Sequence, residues 1–445
     1  MCCGEGLNQG SLIYANFRHS KMFAMRRLLI LANFIVMALA SSCGEAAVEV
    51  PEKADVMRQE IVADLTDNIL PFWIHYSFDP SGGFYGIVGR DGSGRPEAQK
   101  GGVMNSRILW TFSKAYEMYG DIHYLMVADR AQREFLEKFI DHEDGGVYWQ
   151  IGPDGVPSDS TKRTFAIAYG IYGLVAHHRA TGNLKSLDAA IALYRTLEDK
   201  VRDKDIDGYV EAFNSDFTEP IGDRPAPGIE ALKTMNTHIH IVEAYTQLYK
   251  VWAHKGLEER LKAVVELVTD RIFDAETSHL NPCFDRSWDL VGGPAASYGH
   301  DIETAWLLTE AAQACGDDAL VRKCREVSLR LVDTAIEEGF NQEKGYMMYE
   351  SRGGVLRDHA SWWCQCETII GCVDAWQMTG DEKYLDVAYR TWDFIKANFV
   401  DREYGEWFRT VRADGRPNLR EPKASVWNCP YHNSRLGFEM DVRLR

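Results

Sequence analysis

The sequence predicts an all-α chain whose helical hairpins close into an α/α toroid, with short β-hairpins in the connecting loops. Three observations predict this class. From about residue 54 apolar residues recur at helical spacing, beginning with Val56, Ile61, Leu65, Ile69 and Leu70. A helix–glycine–helix unit returns at Gly120, Gly182, Gly256, Gly316 and Gly380, at intervals of 62, 74, 60 and 64 residues. Aromatic and glycine punctuation, rich in turn residues, separates each unit from the next.

A chain of 445 residues has room for a large core, and a repeat array makes a single domain of most of it. The apolar share of 45% and the charged share of 26% are those of a soluble globular protein. A net charge of −17 argues against nucleic acid or an anionic membrane surface as partner. The 12 Trp and 20 Tyr supply a core, or planes on which a sugar stacks beside polar groups. The ten cysteines show no zinc-ligand spacing. Cys364 and Cys366 point to different helical faces, and most cysteines read as buried small apolar residues.

Residues 1–43 read as an export signal rather than fold, with a start at Met22 or Met25. Met25-Arg26-Arg27 is basic, residues 28–40 are apolar, and Leu39-Ala40-Ser41-Ser42-Cys43 looks like a bacterial lipoprotein cleavage site. Ala40 stands where such sites carry Leu, and an ordinary cleaved signal is the alternative. Either reading exports the protein, and the first anchors it to a membrane through lipid on Cys43. Residues 44–53 are a linker, and 54–445 the helical domain.

The first helix is expected over 55–76. Punctuation follows at Gly82-Gly83-Phe84-Tyr85 and returns at Gly145-Gly146-Val147-Tyr148, Gly208-Tyr209, Gly345-Tyr346 and Gly405-Glu406-Trp407. Asp91-Gly92, Asp154-Gly155, Gly353-Gly354 and Asp414-Gly415 come after and predict hairpin turns. The five register glycines read as helix C-caps. Thirteen residues before them stand Arg107, Tyr169, Glu243, Glu303 and Glu367; sixteen before two of them stand His240 and His300. The helix at 55–76 and a last one near 434–442 are single, so a sixth hairpin forms only if they pair. That pairing favours a closed ring over an open superhelix.

In such a ring the first helix of each hairpin lies inside and all inner helices run the same way. Their N-terminal ends meet at one mouth, which gathers Arg107, His240, Glu243, His300, Glu303 and Glu367. An arginine in a first helical turn opposes the helix dipole, which favours a functional reading over a structural one. His240 and His300 each carry a glutamate at i+3, on the same helical face; the bland alternative is a satisfied core histidine. His238, two residues from His240, points elsewhere and reads as packing, so no metal pair is formed. His432, in the loop feeding the last inner helix, reaches the same mouth. Of Trp362 and Trp363 one serves the core, and the other, with Trp427, is placed to stack on a sugar. Phosphate loops, dinucleotide fingerprints and activated Ser or Cys motifs are missing from the sequence. Imidazoles exchange protons near neutral pH, and an arginine stabilises an enediolate; together they perform epimerisation beside a carbonyl without a cofactor.

The stretches Met235-Asn236-Thr237-His238-Ile239-His240-Ile241-Val242-Glu243, Tyr298-Gly299-His300-Asp301-Ile302-Glu303, Trp362-Trp363-x-Gln365-x-Glu367 and Asn105-Ser106-Arg107 resemble the N-acylglucosamine 2-epimerase superfamily, and within it the cellobiose 2-epimerase branch. The resemblance runs from about residue 54 onward and implies an (α/α)6 barrel of six helical hairpins. It implies that His300 and His432 move the C2 proton, that His240 assists ring opening, and that Arg107 binds the reducing-end oxygens. It also implies substrate contacts or supporting roles for Asn236, Glu243, Glu303, Trp363 and Trp427, and no metal. Phe165 and Tyr169 fall outside the matched set. The expected reaction inverts C2 of the reducing-end sugar of a β-1,4-disaccharide, cellobiose to glucosyl-mannose, through a cis-enediol. Alternatives are mannobiose as substrate, a monosaccharide epimerase or aldose-ketose isomerase, a glycoside hydrolase built on paired glutamates, and a non-catalytic sugar-binding toroid.

Overall fold

Four helices end where the glycine register places their ends. Gly120, Gly182, Gly316 and Gly380 adopt φ of 72°, 75°, 65° and 72°, left-handed geometry that costs glycine little. Each is followed at once by an Asx residue that starts the next helix: Asp121, Asn183, Asp317 and Asp381 accept backbone N–H groups of its first turn. The computed structural model describes residues 49–445, and the export-signal reading of 1–43 lies outside them. No described helix is long and apolar enough to cross a membrane.

Twelve helices are present among the described residues. The first, α1, runs from Glu52–Asp64 through a wider turn at Leu65–Ile69 into Leu70–Tyr76, and so begins inside the segment read as linker. Five hairpins follow: α2 Gly102–Tyr119 with α3 Ile122–Glu134, α4 Thr164–Thr181 with α5 Leu184–Thr196, and α6 Met235–Val251 with α7 Lys255–Leu267. Next come α8 Tyr298–Cys315 with α9 Asp318–Gly339, and α10 Trp362–Thr379 with α11 Glu382–Asn398. The last is α12, Tyr431–Arg443. Helices α2, α4, α6, α8, α10 and α12 form the inner ring, each packed on the next and α12 back on α2, while α12 also packs on α1. The ring is therefore an (α/α)6 barrel, closed by the pairing of its first and last helices. Gly173 permits close approach of α4 to α2, since a Cβ there would lie 2.5 Å from the Ser106 carbonyl.

Gly256 is not a C-cap. Helix α6 stops at Val251, Trp252 stacks on His254 with ring centroids 4.5 Å apart, and Gly256 lies inside α7. The register of the third hairpin therefore shifts by three residues.

Each outer helix runs into a hairpin closed by one repeated pairing: Phe78 with Phe84, Ile140 with Val147, Arg202 with Tyr209, Phe273 with Leu280, Phe340 with Met347, Val400 with Trp407. The fourth residue of the next inner helix latches several of these. His238 Nε2 accepts the Tyr209 N–H at 3.0 Å, Asp301 the Leu280 N–H at 3.0 Å and Gln365 the Met347 N–H at 2.9 Å. His238 thus has a structural task, and burial lowers its pKa to about 4 so that it stays neutral. Buried pairs Lys100–Asp79, Lys162–Asp141 and Lys423–Asp401, at 2.8, 2.6 and 3.0 Å, add further ties.

Candidate active site

Counted from their first residues, and α12 from Pro430, the inner helices stack their side chains in tiers, because neighbours on one helical face recur every three to four residues. The sixth residues are Arg107, Tyr169, His240, Glu303, Glu367 and Arg435, one from each helix. The third residues include His300 and His432, and the second include Phe165, Asn236 and Trp363. The ninth residues Trp110, Tyr172, Trp306 and Phe438 form an aromatic plug, with Trp110 stacked on Tyr172 at 5.3 Å. His240 and His300 are therefore not equivalent, as the shared His-x-x-Glu spacing had suggested. His240 stands one turn deeper, level with Glu303, and Glu243 lies a turn deeper still.

A cleft of about 450 Å³ opens at the N-terminal ends of the inner helices. Arg107, Asn236, His240, His300, Glu303, Trp363, Trp427 and His432 all line it; Glu243 and Glu367 do not. Trp363 is in ring contact with both third-tier histidines, its ring 4.6 Å from that of His300 and 5.7 Å from that of His432. The indole of Trp427 stacks on Phe165 at 5.7 Å and leaves 39% of the residue exposed at the mouth. Of the two adjacent tryptophans Trp362 is the more buried, and it still borders the cleft.

Arg435, fully buried on α12, organises the floor. Its guanidinium lies 2.5 Å from Glu243, 2.5 Å from Glu303 and 2.7 Å from Glu367. Despite burial, Arg435 holds the Glu303 and Glu243 carboxyls below their ordinary range, while burial wins at Glu367 and raises it. Glu303, Glu367 and His432 bring three donor atoms within 4.8 Å of one another, but the guanidinium fills the cation position there.

His432 Nδ1 lies 2.7 Å from a Glu367 oxygen, so this nitrogen carries the proton and donates, leaving Nε2 as the free basic atom. Burial and the guanidiniums of Arg107 and Arg435 keep the His432 pKa well below the ordinary value. His300 Nδ1 meets the Ser297 hydroxyl at 2.7 Å, and burial brings this imidazole down to about 4. Both histidines are neutral at neutral pH. Tyr169 accepts a hydrogen bond from Arg107 at 2.6 Å and lies 3.1 Å from His240 Nδ1, which also faces Glu243 at 3.1 Å. The Arg107 Nε is buried without a partner, and its guanidinium packs on the Tyr169 and Tyr431 rings.

Two neutral imidazoles beside one indole, with an arginine one turn deeper, can exchange protons with a bound molecule. A model of the N-acylglucosamine 2-epimerase family matches residues 83–433. The chain belongs to this family. Among relatives, a cellobiose 2-epimerase of Bacteroides fragilis is 40% identical over 87% of this chain and 99% of its own length. Another from Ruminococcus albus is 36% identical over 87% and 99%. The structure of cellobiose 2-epimerase from Bacillus thermoamylovorans superposes with a TM-score of 0.83, 35% identity, and coverage of 86% of this chain and 98% of that one.

Several residues of this family member's cleft escaped the sequence reading. Arg435 carries a signal in hindsight: His432-x-x-Arg435 repeats the i, i+3 spacing of His300 and Glu303 with the opposite charge. Tyr169 stood in the register column but outside the matched motifs. Ser297, Asp223, Tyr349, Glu350, Arg352 and Arg409 line the cleft from loops and strand ends. Loop residues have no periodicity from which to place them.

Proposed function

We propose that this chain is a 2-epimerase acting on the reducing-end sugar of β-1,4-linked disaccharides, with cellobiose converted to glucosyl-mannose. The observation that carries the reading is the placement of two uncharged histidines, His300 and His432, in one cleft mouth and both in ring contact with Trp363. The reducing-end ring opens with help from His240 and Tyr169, exposing a carbonyl to the spare Arg107 donors. One third-tier histidine removes the C2 proton as a neutral base. Arg107 stabilises the enediolate, whose negative charge favours imidazolium on the opposite histidine. That histidine, having taken a proton from solvent at the open mouth, delivers it to the other face of C2 and inverts it, and the first histidine releases the C2 proton to solvent; Glu367 behind His432 and Ser297 behind His300 hold the rings in place. The aromatic planes of Trp363 and Trp427 support the sugar faces, Asn236 and Glu303 contact hydroxyls, and Glu243 steadies His240.

The test is incubation with cellobiose and β-1,4-mannobiose in D2O. The expected result is deuterium at C2 of the reducing-end sugar with the disaccharide intact, cellobiose reacting faster. Released monosaccharides would instead indicate a hydrolase, and faster mannobiose turnover would change the substrate. We propose also that the chain is exported and lipid-anchored at Cys43. Radiolabelled palmitate on the wild type, lost in Cys43→Ser, is the expected outcome, and an unlabelled wild type removes the anchor.

A further inference from the structure

Among the latches that tie inner helices to the preceding hairpins, the one on α8 is built differently. His238 and Gln365 latch as neutral groups, whereas Asp301 is a carboxylate, fully buried and adjacent in sequence to His300. While Asp301 Oδ1 accepts the Leu280 N–H, Oδ2 lies 2.8 Å from His279 Nδ1. The other nitrogen of that imidazole lies 3.1 Å from Glu338 of α9. Two carboxylates facing both ring nitrogens require two N–H donors, so His279 is an imidazolium by geometry.

The start of α8 is thus held from two sides. Behind it stand Asp301 and His279. In front, the helix-initiating Ser297 makes no capping bond and faces His300 instead. We infer that the His279–Asp301 pair is a positioning device for His300, setting the height and tilt of the first turn of α8 and losing its grip when His279 gives up its proton. The inference rests on the 2-epimerase reading for its kinetic arm.

The groups facing His279 are Asp301 and Tyr298 of α8, Glu338 of α9 and Asp274, its pairing partner across the hairpin. Arg330 of α9 binds the adjacent Ser278. Against the effect of burial, Asp301 and Glu338 push His279 up to about 9. A raised imidazole holds its partners fully below its unfolded value of about 6.5 and releases them as pH rises through about 9. An alkaline loss of turnover near this pH that moves with substitutions around His279 marks the pair.

The decisive variant is Glu338→Gln. Its side chain is 52% exposed, outside the cleft, and its removal weakens the charge on His279 without touching α8. Expected are wild-type kcat and KM at pH 7 and an alkaline limb of kcat moved to lower pH. His279→Gln should lower kcat about tenfold at unchanged KM and remove that limb, since a misplaced base costs rate rather than binding. Asp301→Asn, which retains the latch acceptor, should keep the fold and lose the limb. Superimposable profiles for Glu338→Gln and wild type, or a His279→Gln variant altered in thermal stability alone, would overturn the inference. Proton NMR of the His279 ring gives an independent arm: titration below pH 7 overturns it whatever sugar the enzyme uses.

Discussion

The two ends of the barrel are made from the same six inner helices and the same residue types, yet they are opposites. At the N-terminal mouth, polar side chains keep unspent capacity: a free Nε2 on His432, an unpartnered Arg107 Nε, a partly buried His300 open to the cleft. At the C-terminal end every inner helix offers charged or amide groups that satisfy one another. Glu117 meets Arg179 at 2.9 Å, Arg179 meets Gln247 at 3.2 Å, and Glu310 meets Gln247 and Lys250 at 2.9 and 2.6 Å. Thr309 donates to Asp374 at 2.9 Å, and Arg443 closes on Asp374 at 2.7 Å. Even against burial, Lys250 holds the Glu310 carboxyl down to about 2. The proposed chemistry belongs to the end whose polar groups are incompletely paired; the other end is a seal. The ninth-tier aromatics Trp110, Tyr172, Trp306 and Phe438 lie between the two, with Trp306 packed against Arg435 on one side and Arg443 on the other.

The largest effect expected from breaking this contrast is on turnover. His300→Ala or His432→Ala should lower C2 hydrogen exchange about a thousandfold or more, with little change in melting temperature; normal exchange in either variant removes it from the proton-transfer pair. Arg435→Met touches both properties. It leaves buried carboxylates without their cation, so a stability loss of about 3–5 kcal/mol should accompany lost activity in denaturant titration. Arg443→Ala at the seal should cost about 3 kcal/mol of stability while exchange per folded molecule stays within about twofold, because the aromatic tier separates it from the cleft. If activity falls in parallel with stability, the insulation is wrong.

Acid pH sharpens the comparison further. The depressed pKa of His238 means that, between about 6.5 and 4, the unfolded chain takes up this proton first. Stability therefore falls as pH drops through that window, by up to about 3 kcal/mol from this group. Urea midpoints at pH 7 and 4.5 for wild type and His238→Gln should differ less in the variant. The smallest effect belongs to Trp427→Ala, whose exposed platform should raise KM for the disaccharide about fivefold at unchanged kcat.

Much of this architecture was legible because helix ends are local. A glycine that must turn left-handed, followed by an Asx that must cap, leaves a two-residue signature at Gly120-Asp121, Gly182-Asn183, Gly316-Asp317 and Gly380-Asp381. Gly256 lacks the Asx, with Leu257 next, and that missing half was the available warning. The tiers of the site followed from helix period wherever the helix start was right, which is why Arg107, Glu303 and Glu367 fell into place and His240 was misplaced by one turn. Arg435 escaped because α12 has no glycine to register it. The cleft walls at Asp223, Glu350, Arg352 and Arg409 depend on how distant hairpins meet, which no local pattern encodes.

Ring closure by α12 has a consequence for biosynthesis. During translation five hairpins emerge and can pack in sequence, but His432, Arg435 and the partner surface for α1 arrive only with the last helix. Until then Glu243, Glu303 and Glu367 face one another with no guanidinium between them. Arrival of one helix therefore sets a cation among the carboxylates, seals the circle and brings His432 to the mouth together, so the ring and its floor are completed in a single step.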